Sequence, residues 1–272
     1  MDVPVLVSRE SQSNRKPPTR ERLRRSLPYL AAGAALLAWQ ISAADPTLAF
    51  TLASPRSVAE EFLRLVGNGT LFTHLLVTLL EIALGFTGGV LLALLGGYGI
   101  ANSRLLESLL GPYAVGFQAV PMIAIAPILI RFFGPGIPTN ATICGLIVFF
   151  PMLISTIVGL RGIDSDQRAI LHSLTATRWQ MFRLLELPAA FPTILGGLKI
   201  STTLAVVGAV VGEAFAAQAG LGYLIYASRF VYNSAGVFVA VFTLTALAIT
   251  LYQTVAWVER HTVQWRRANE LE

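Results

Sequence analysis

Six long apolar runs, at residues 27–44, 75–101, 109–132, 143–160, 194–216 and 237–258, are separated by polar breaks, one of them far longer than the rest. Each run approaches or exceeds the roughly 18 to 20 residues that a helix needs to cross a bilayer. An all-α polytopic membrane protein with about six transmembrane helices is predicted. The long break, residues 161–192, carries helix signals of its own. Asp164 with Gln167 and Thr177 with Gln180 have capping-box spacing, so short helices are expected to start near Ser165 and Arg178, and Pro188 is expected to end the second. Ile170, Leu171 and Leu174 fall on one face of the first helix, and Trp179, Phe182 and Leu185 on one face of the second. By pattern alone this break is either an amphipathic loop lying on the bilayer surface or the polar element through which the membrane portion is controlled.

The apolar runs differ in their small residues and prolines. The second holds Gly85, Gly88, Gly89, Gly96, Gly97 and Gly99, which lets neighbouring helices approach closely. The third holds Pro121 and Pro127. Prolines there free carbonyls and permit kinks, which are tolerated where a helix is buried in protein or lines a cavity. Between the first two runs, an amphipathic helix is expected with Ser54 as its cap and Pro55 in its first turn. Residues 1–26 form a polar tail, expected to be disordered, and residues 259–272 a second tail; residues 27–258 make up the membrane domain.

Composition narrows the class. With 54% hydrophobic and 13% charged residues and a mean hydropathy of +0.65, a chain of 272 residues cannot hide its apolar surface as a soluble globule. A net charge of +5 would suit nucleic acid, but the positions of the charges exclude that partner. Arg15, Lys16, Arg20, Arg22, Arg24 and Arg25 precede the first run, and Arg260, Arg266 and Arg267 follow the last. Fifteen of the 20 Lys and Arg residues share one side if both tails, Arg104 and the long break face the cytoplasm, which is the orientation the positive-inside rule selects. The first run is long enough to span, so the N-terminus does not read as a cleaved signal peptide.

Ionisable residues within the runs are few. Glu81 in the second run is costly in hydrocarbon, so it must face protein or water, either as a pathway carboxylate or hydrogen-bonded within the bundle. Glu213, at the outer end of the fifth run, is expected close to water as a gating contact or a structural cap. Lys199 can snorkel to the interface. The lone Cys144 reads as a buried thiol. Only Lys16 and Lys199 are lysines and neither follows a glycine, so no phosphate-binding loop exists; His74, His172 and His261 have no metal-ligand spacing.

The run SLTATRWQMFRLLELPAAFPTILGGLKI resembles the cytoplasmic loop of ATP-binding-cassette (ABC) importer permeases, with its Glu-Ala-Ala, three residues, Gly, and an Ile-x-Leu-Pro ending. Aligned on Arg178, Trp179 and Leu187-Pro188, the family's glutamate falls on Ala169 and its glycine on Thr175. A threonine at positive φ there is expected to be strained by about 1 kcal/mol. QAVPMIAIAPILIRFFGPG, VVGAVVGEAFAAQAGLGYLIYAS and its GLGYLI element resemble the branch that handles sulfonates, nitrate, taurine, riboflavin and pyrimidine vitamin precursors.

The resemblance covers about residues 54–258 and implies a type I ABC importer permease fold in a bacterial inner membrane. It implies coupling helices built on Leu171, Leu174, Thr175, Thr177, Arg178, Trp179, Phe182 and Pro188, docked on cytoplasmic ATPase subunits that bind ATP and Mg, with no cofactor in this chain. It also implies an extracytoplasmic binding protein and a second permease copy. Candidate pathway residues are Glu81, Pro121, Pro127 and Glu213. Alternatives from other classes are an ion-coupled secondary transporter using Glu81 and Glu213, and a membrane enzyme, for which no cluster of acids, histidines or serines is visible.

Overall fold

The structure is a computed structural model that describes residues 19–45, 52–118 and 120–262. Most of the N-terminal tail and of the C-terminal tail lies outside the described residues. The chain divides into two compact units, Met1–Pro55 and Arg56–Glu272. The first contains helix α1 (Thr19–Ser42), which begins within the segment expected as a tail, and the Trp39 indole N–H donates to the Ala53 carbonyl at 2.9 Å.

The second unit is built of helices joined by short turns, with no strand among its described residues. It comprises α2 (Pro55–Gly67), α3 (Thr70–Ala101), α4 (Arg104–Gln118), α5 (Met122–Phe133), α6 (Ile137–Arg161), α7 (Ser165–Ser173), α8 (Arg178–Met181), a π turn (Phe182–Glu186), α9 (Leu187–Ala216), α10 (Leu221–Phe230) and α11 (Ser234–Thr262). As expected, α2 has Pro55 in its first turn.

Four helical stretches, not six, are each long and apolar enough to cross a membrane among the described residues: Thr70–Ala101, Ile137–Arg161, Arg178–Phe215 and Ser234–Thr262. Two expected spans fall short for identifiable reasons. The charged residues Arg20, Glu21, Arg22, Arg24 and Arg25 fall in the first turns of α1 and leave only residues 27–42 for its apolar part, short of the roughly 18 to 20 that a span needs. The single span expected over 109–132 is broken: Pro121 is extended (ψ 106) and caps α5, because its ring drives the preceding residue out of the helical region. The pieces, of 15 and 12 residues, rise only about 22 and 18 Å.

Helices α3, α6 and α9 pack along one another to form the centre. Their closeness rests on one stripe of the glycines noted in the sequence. A Cβ on Gly89 would come within 2.5 Å of the Gly145 carbonyl oxygen, and one on Gly97 within 2.7 Å of Thr156. Gly88 meets nothing within 4 Å and Gly99 only Leu106 of α4, so four of the six glycines serve the α3–α6 contact. Cys144 sits in this layer fully buried, covered by Gly85 from α3 and Gly208 from α9, and its thiol donates to the Ala205 carbonyl at 3.4 Å.

Candidate functional site

The two groups of candidate side chains stand at opposite ends of α9. At its N-terminal end lies the long polar break. Asp164 caps α7, but its carboxylate accepts from the Asp166 N–H at 2.9 Å rather than completing the box expected with Gln167. The helix closes with the Ala176 N–H on the Leu171 carbonyl at 3.1 Å and the Thr175 N–H on the His172 carbonyl at 3.0 Å, the paired bonds of a Schellman end. That ending needs a left-handed residue, and Thr175 supplies it with φ 53, so the strain anticipated from the family's glycine is present. Thr177 and Gln180 form the expected reciprocal box: the Gln180 N–H donates to the Thr177 hydroxyl oxygen and the Thr177 N–H to Gln180 Oε1 at 2.8 Å.

Pro188 does not end the second helix. Residues 178–215 form one continuous helical stretch, with the four-residue α8 passing through the π turn into α9. A proline ring clashes with the carbonyl four residues back and leaves it without an N–H. The π turn widens the helix just ahead of Pro188, where the Leu187 N–H reaches the Phe182 carbonyl five residues earlier. The loop's last helical turn is therefore the first turn of a membrane span.

Burial sorts the loop's apolar residues. Ile170, Leu174 and Trp179 remain 60, 68 and 66% exposed, so they serve no core of this chain. Phe182, expected to share that outward role, is half-buried: it meets Tyr98 edge-on at 5.5 Å and stacks with Trp179 at 5.7 Å. Leu171 and Pro188 are half-buried, and Arg178 is exposed. Beneath them Glu186, only 4% exposed, pairs with Arg168 at 2.8 Å, and Arg168 also donates to the Leu160 carbonyl at 2.9 Å. Neither residue of this pair was singled out from the sequence; the signal available was an acid, Glu186, inside an otherwise apolar run.

At the other end of α9, Glu213 was expected near water and is 2% exposed. The Thr78 hydroxyl donates to its Oε1 at 2.6 Å, and the N–H groups of Gly222 and Tyr223, in the first turn of α10, donate to its Oε2. The Leu221 N–H donates to the Thr78 hydroxyl oxygen at 2.7 Å, and the Gly220 N–H to His74 Nδ1 at 2.9 Å. Gly220, at φ 125, has no room for a side chain, because a Cβ there would fall on the Glu213 carboxyl group. Glu81 is 1% exposed and accepts from the Asn140 amide at 2.8 Å, which makes it a carboxyl held within the bundle. Residue spacing gave no sign of Asn140, Thr78 or His74, whose partners lie 59 to 146 positions away. Pro121 and Pro127 belong to α5, a different element from those that hold this cluster. Lys199, expected to snorkel, pairs with Glu259 on α11.

These features define a polytopic helical membrane protein with exposed apolar side chains on the loop at one end of α9. Residues 85–264 match the model of the binding-protein-dependent transport system inner membrane components, and the chain belongs to that family. A riboflavin transport system permease protein of Chloroflexus aurantiacus is 39% identical over 217 residues, 80% of this chain and 81% of that one. A formylaminopyrimidine transport permease protein of Halalkalibacterium halodurans is 31% identical over 232 residues, covering 85% and 92%. A chain of the MetNI methionine ABC transporter in an inward-facing conformation superposes with a TM-score of 0.63 at 19% identity, covering 74% of this chain and 98% of that one, and the shared fold is that of type I ABC importers. The chain is thus a multi-pass inner-membrane permease subunit and not an enzyme.

Proposed function

We propose that the chain carries a small organic solute inward as half of a permease homodimer. On this reading an extracytoplasmic binding protein delivers the solute, and two separate cytoplasmic ATPase subunits, which bind ATP and Mg, drive the cycle. Both termini then lie in the cytoplasm with the loop of residues 161–192. The observation that carries the reading is the exposure of Ile170, Leu174 and Trp179 on a loop whose last helix is continuous with a span. Solvent-exposed apolar side chains held by a capping box and a Schellman turn form a preorganised surface for a protein partner. Thr175 and Thr177 set its turn, Arg178 supplies charge at its rim, and Leu171, Phe182 and Pro188 fix it to the bundle.

Among substrates, a vitamin precursor such as riboflavin or hydroxymethylpyrimidine is favoured over a sulfonate, taurine or nitrate. The sequence likeness to the riboflavin and formylaminopyrimidine permeases supports that order. The test is ATPase activity in vesicles that hold this chain with its ATPase, with and without binding protein and each candidate solute. Stimulation that requires both the binding protein and one solute is the expected result and names the substrate. Uptake that follows an ion gradient with no ATPase bound overturns the reading in favour of an ion-coupled carrier.

A further inference from the structure

Helix α7 presents part of the exposed apolar surface, yet none of its residues is buried. With Leu171 only half-buried, apolar packing alone does not hold it in place. Its polar attachment runs through Arg168, which donates one guanidinium nitrogen to Glu186 Oε1 at 2.8 Å and another to the Leu160 carbonyl at 2.9 Å. Leu160 belongs to the last turn of α6, and Glu186 is the last residue of the π turn that leads into α9. Tyr98 from α3 completes the arrangement, with its hydroxyl donating to Glu186 Oε2 at 3.3 Å and its ring edge-on to Phe182. Four elements of the chain thus meet at one ion pair.

The position of the pair has a mechanical meaning. A π turn followed by Pro188 is a weak stretch of the 178–215 helix, since its hydrogen-bond ladder is widened and one donor is missing. A push on Trp179 would bend the helix there before it moved the span. Glu186 sits at that point, nearly buried, where an ion pair with well-placed hydrogen bonds resists separation because either partner alone would be left uncompensated.

We propose that Arg168 and Glu186 are positioning residues for coupling: their ion pair braces the π turn and makes α7, α8 and α9 move as one body. The inference rests on the permease reading above. It assigns the linking charge to this chain, at a loop where Ala169 stands in place of the family's glutamate.

Two measurements test it. In the reconstituted complex, Arg168→Gln is expected to lower the stimulation of ATPase activity by liganded binding protein about tenfold, while ATPase co-purification and unstimulated hydrolysis stay within about twofold. Glu186→Gln is expected to do the same less severely, and exchanging the charges (Arg168→Glu with Glu186→Arg) to recover part of the loss. Stimulation in both single variants within about twofold of the unaltered chain, or a loss that simply tracks the loss of bound ATPase, overturns the proposal. The second measurement uses this chain alone in detergent: Arg168→Gln is expected to raise protease cleavage within residues 161–177 about tenfold without cleavage of the spans. Unchanged cleavage overturns the brace. A raised rate with no ATPase bound to any form of the chain leaves the brace standing and removes the permease reading instead.

Discussion

At the loop end of α9 Glu186 is met by a full cation, Arg168, whereas at the far end Glu213 accepts from neutral donors, one hydroxyl and two backbone N–H groups. The first arrangement depends on charge, and another pair of charges can rebuild it. The second depends on where the backbone of α10 lies, and no other side chain of different length can rebuild it. A helix N-terminus also favours an anion beyond the hydrogen bonds themselves. The difference teaches how the two ends of one helix can be held by different chemistry. Around Glu213 every element is tied by buried hydrogen bonds, while around Glu186 the chain keeps apolar side chains in the open.

The contrast is broken most severely by Glu213→Ala. It would strand the Gly222 and Tyr223 N–H groups, at about 1 to 3 kcal/mol for each orphaned donor, while the Thr78 hydroxyl keeps the His74 carbonyl as an acceptor. Thermal unfolding in detergent should fall sharply, and α10 should become open to protease; an unchanged melt would show that these donors find other partners. Next comes Trp179→Ala, expected to weaken binding of the ATPase by about 2 kcal/mol, or roughly 30-fold, as the loss of an aromatic anchor. Its melting temperature should not move, because the side chain is 66% exposed. Transport should uncouple from hydrolysis while insertion stays intact, and normal uptake would remove Trp179 from the docking surface.

Thr175→Gly acts in the opposite direction. It relieves a positive φ and should stabilise the loop by about 1 kcal/mol, read as slower amide exchange at Ala176 and Thr177. The smallest effect concerns α2, where the Arg64 guanidinium, and then the Asn233 amide, hold the Glu61 carboxyl below the usual range against the opposing effect of burial. A depressed carboxyl contributes stability that is present above the unfolded value of about 4.3 and is lost as the pH falls through the lower folded value. Acidification through that window should therefore loosen α2 from the α10–α11 turn, and Glu61→Gln should abolish the pH dependence.

Local features were the legible ones. The Thr177–Gln180 box, the start of α7 after Asp164 and the Pro55 start of α2 depend on residues within one turn, and the structure has them. The glycine-rich second run gave the close helix contact, but not which glycines make it, because that depends on the rotation of α3 against α6. Pro121 and Pro188 show the limit from the other side. Pro121 was expected to kink a continuous span and Pro188 to end its helix, yet Pro121 breaks its span and Pro188 is absorbed by a π turn that no spacing rule announces. The carboxyl cluster was half legible: Glu81 and Glu213 stood out as acids in apolar runs, whereas their donors come from other helices. The Arg168–Glu186 pair joins residues 18 positions apart through a turn whose path only the fold defines.

The burial of Cys144 has a practical consequence. It is the chain's one cysteine, and it lies fully enclosed between α3 and α9. A thiol reagent applied to the folded protein has nothing to modify, so a cysteine introduced at an exposed position would be the sole attachment point for a fluorophore or spin label. The natural sequence already serves as the silent background for reporting distances between the two ends of α9.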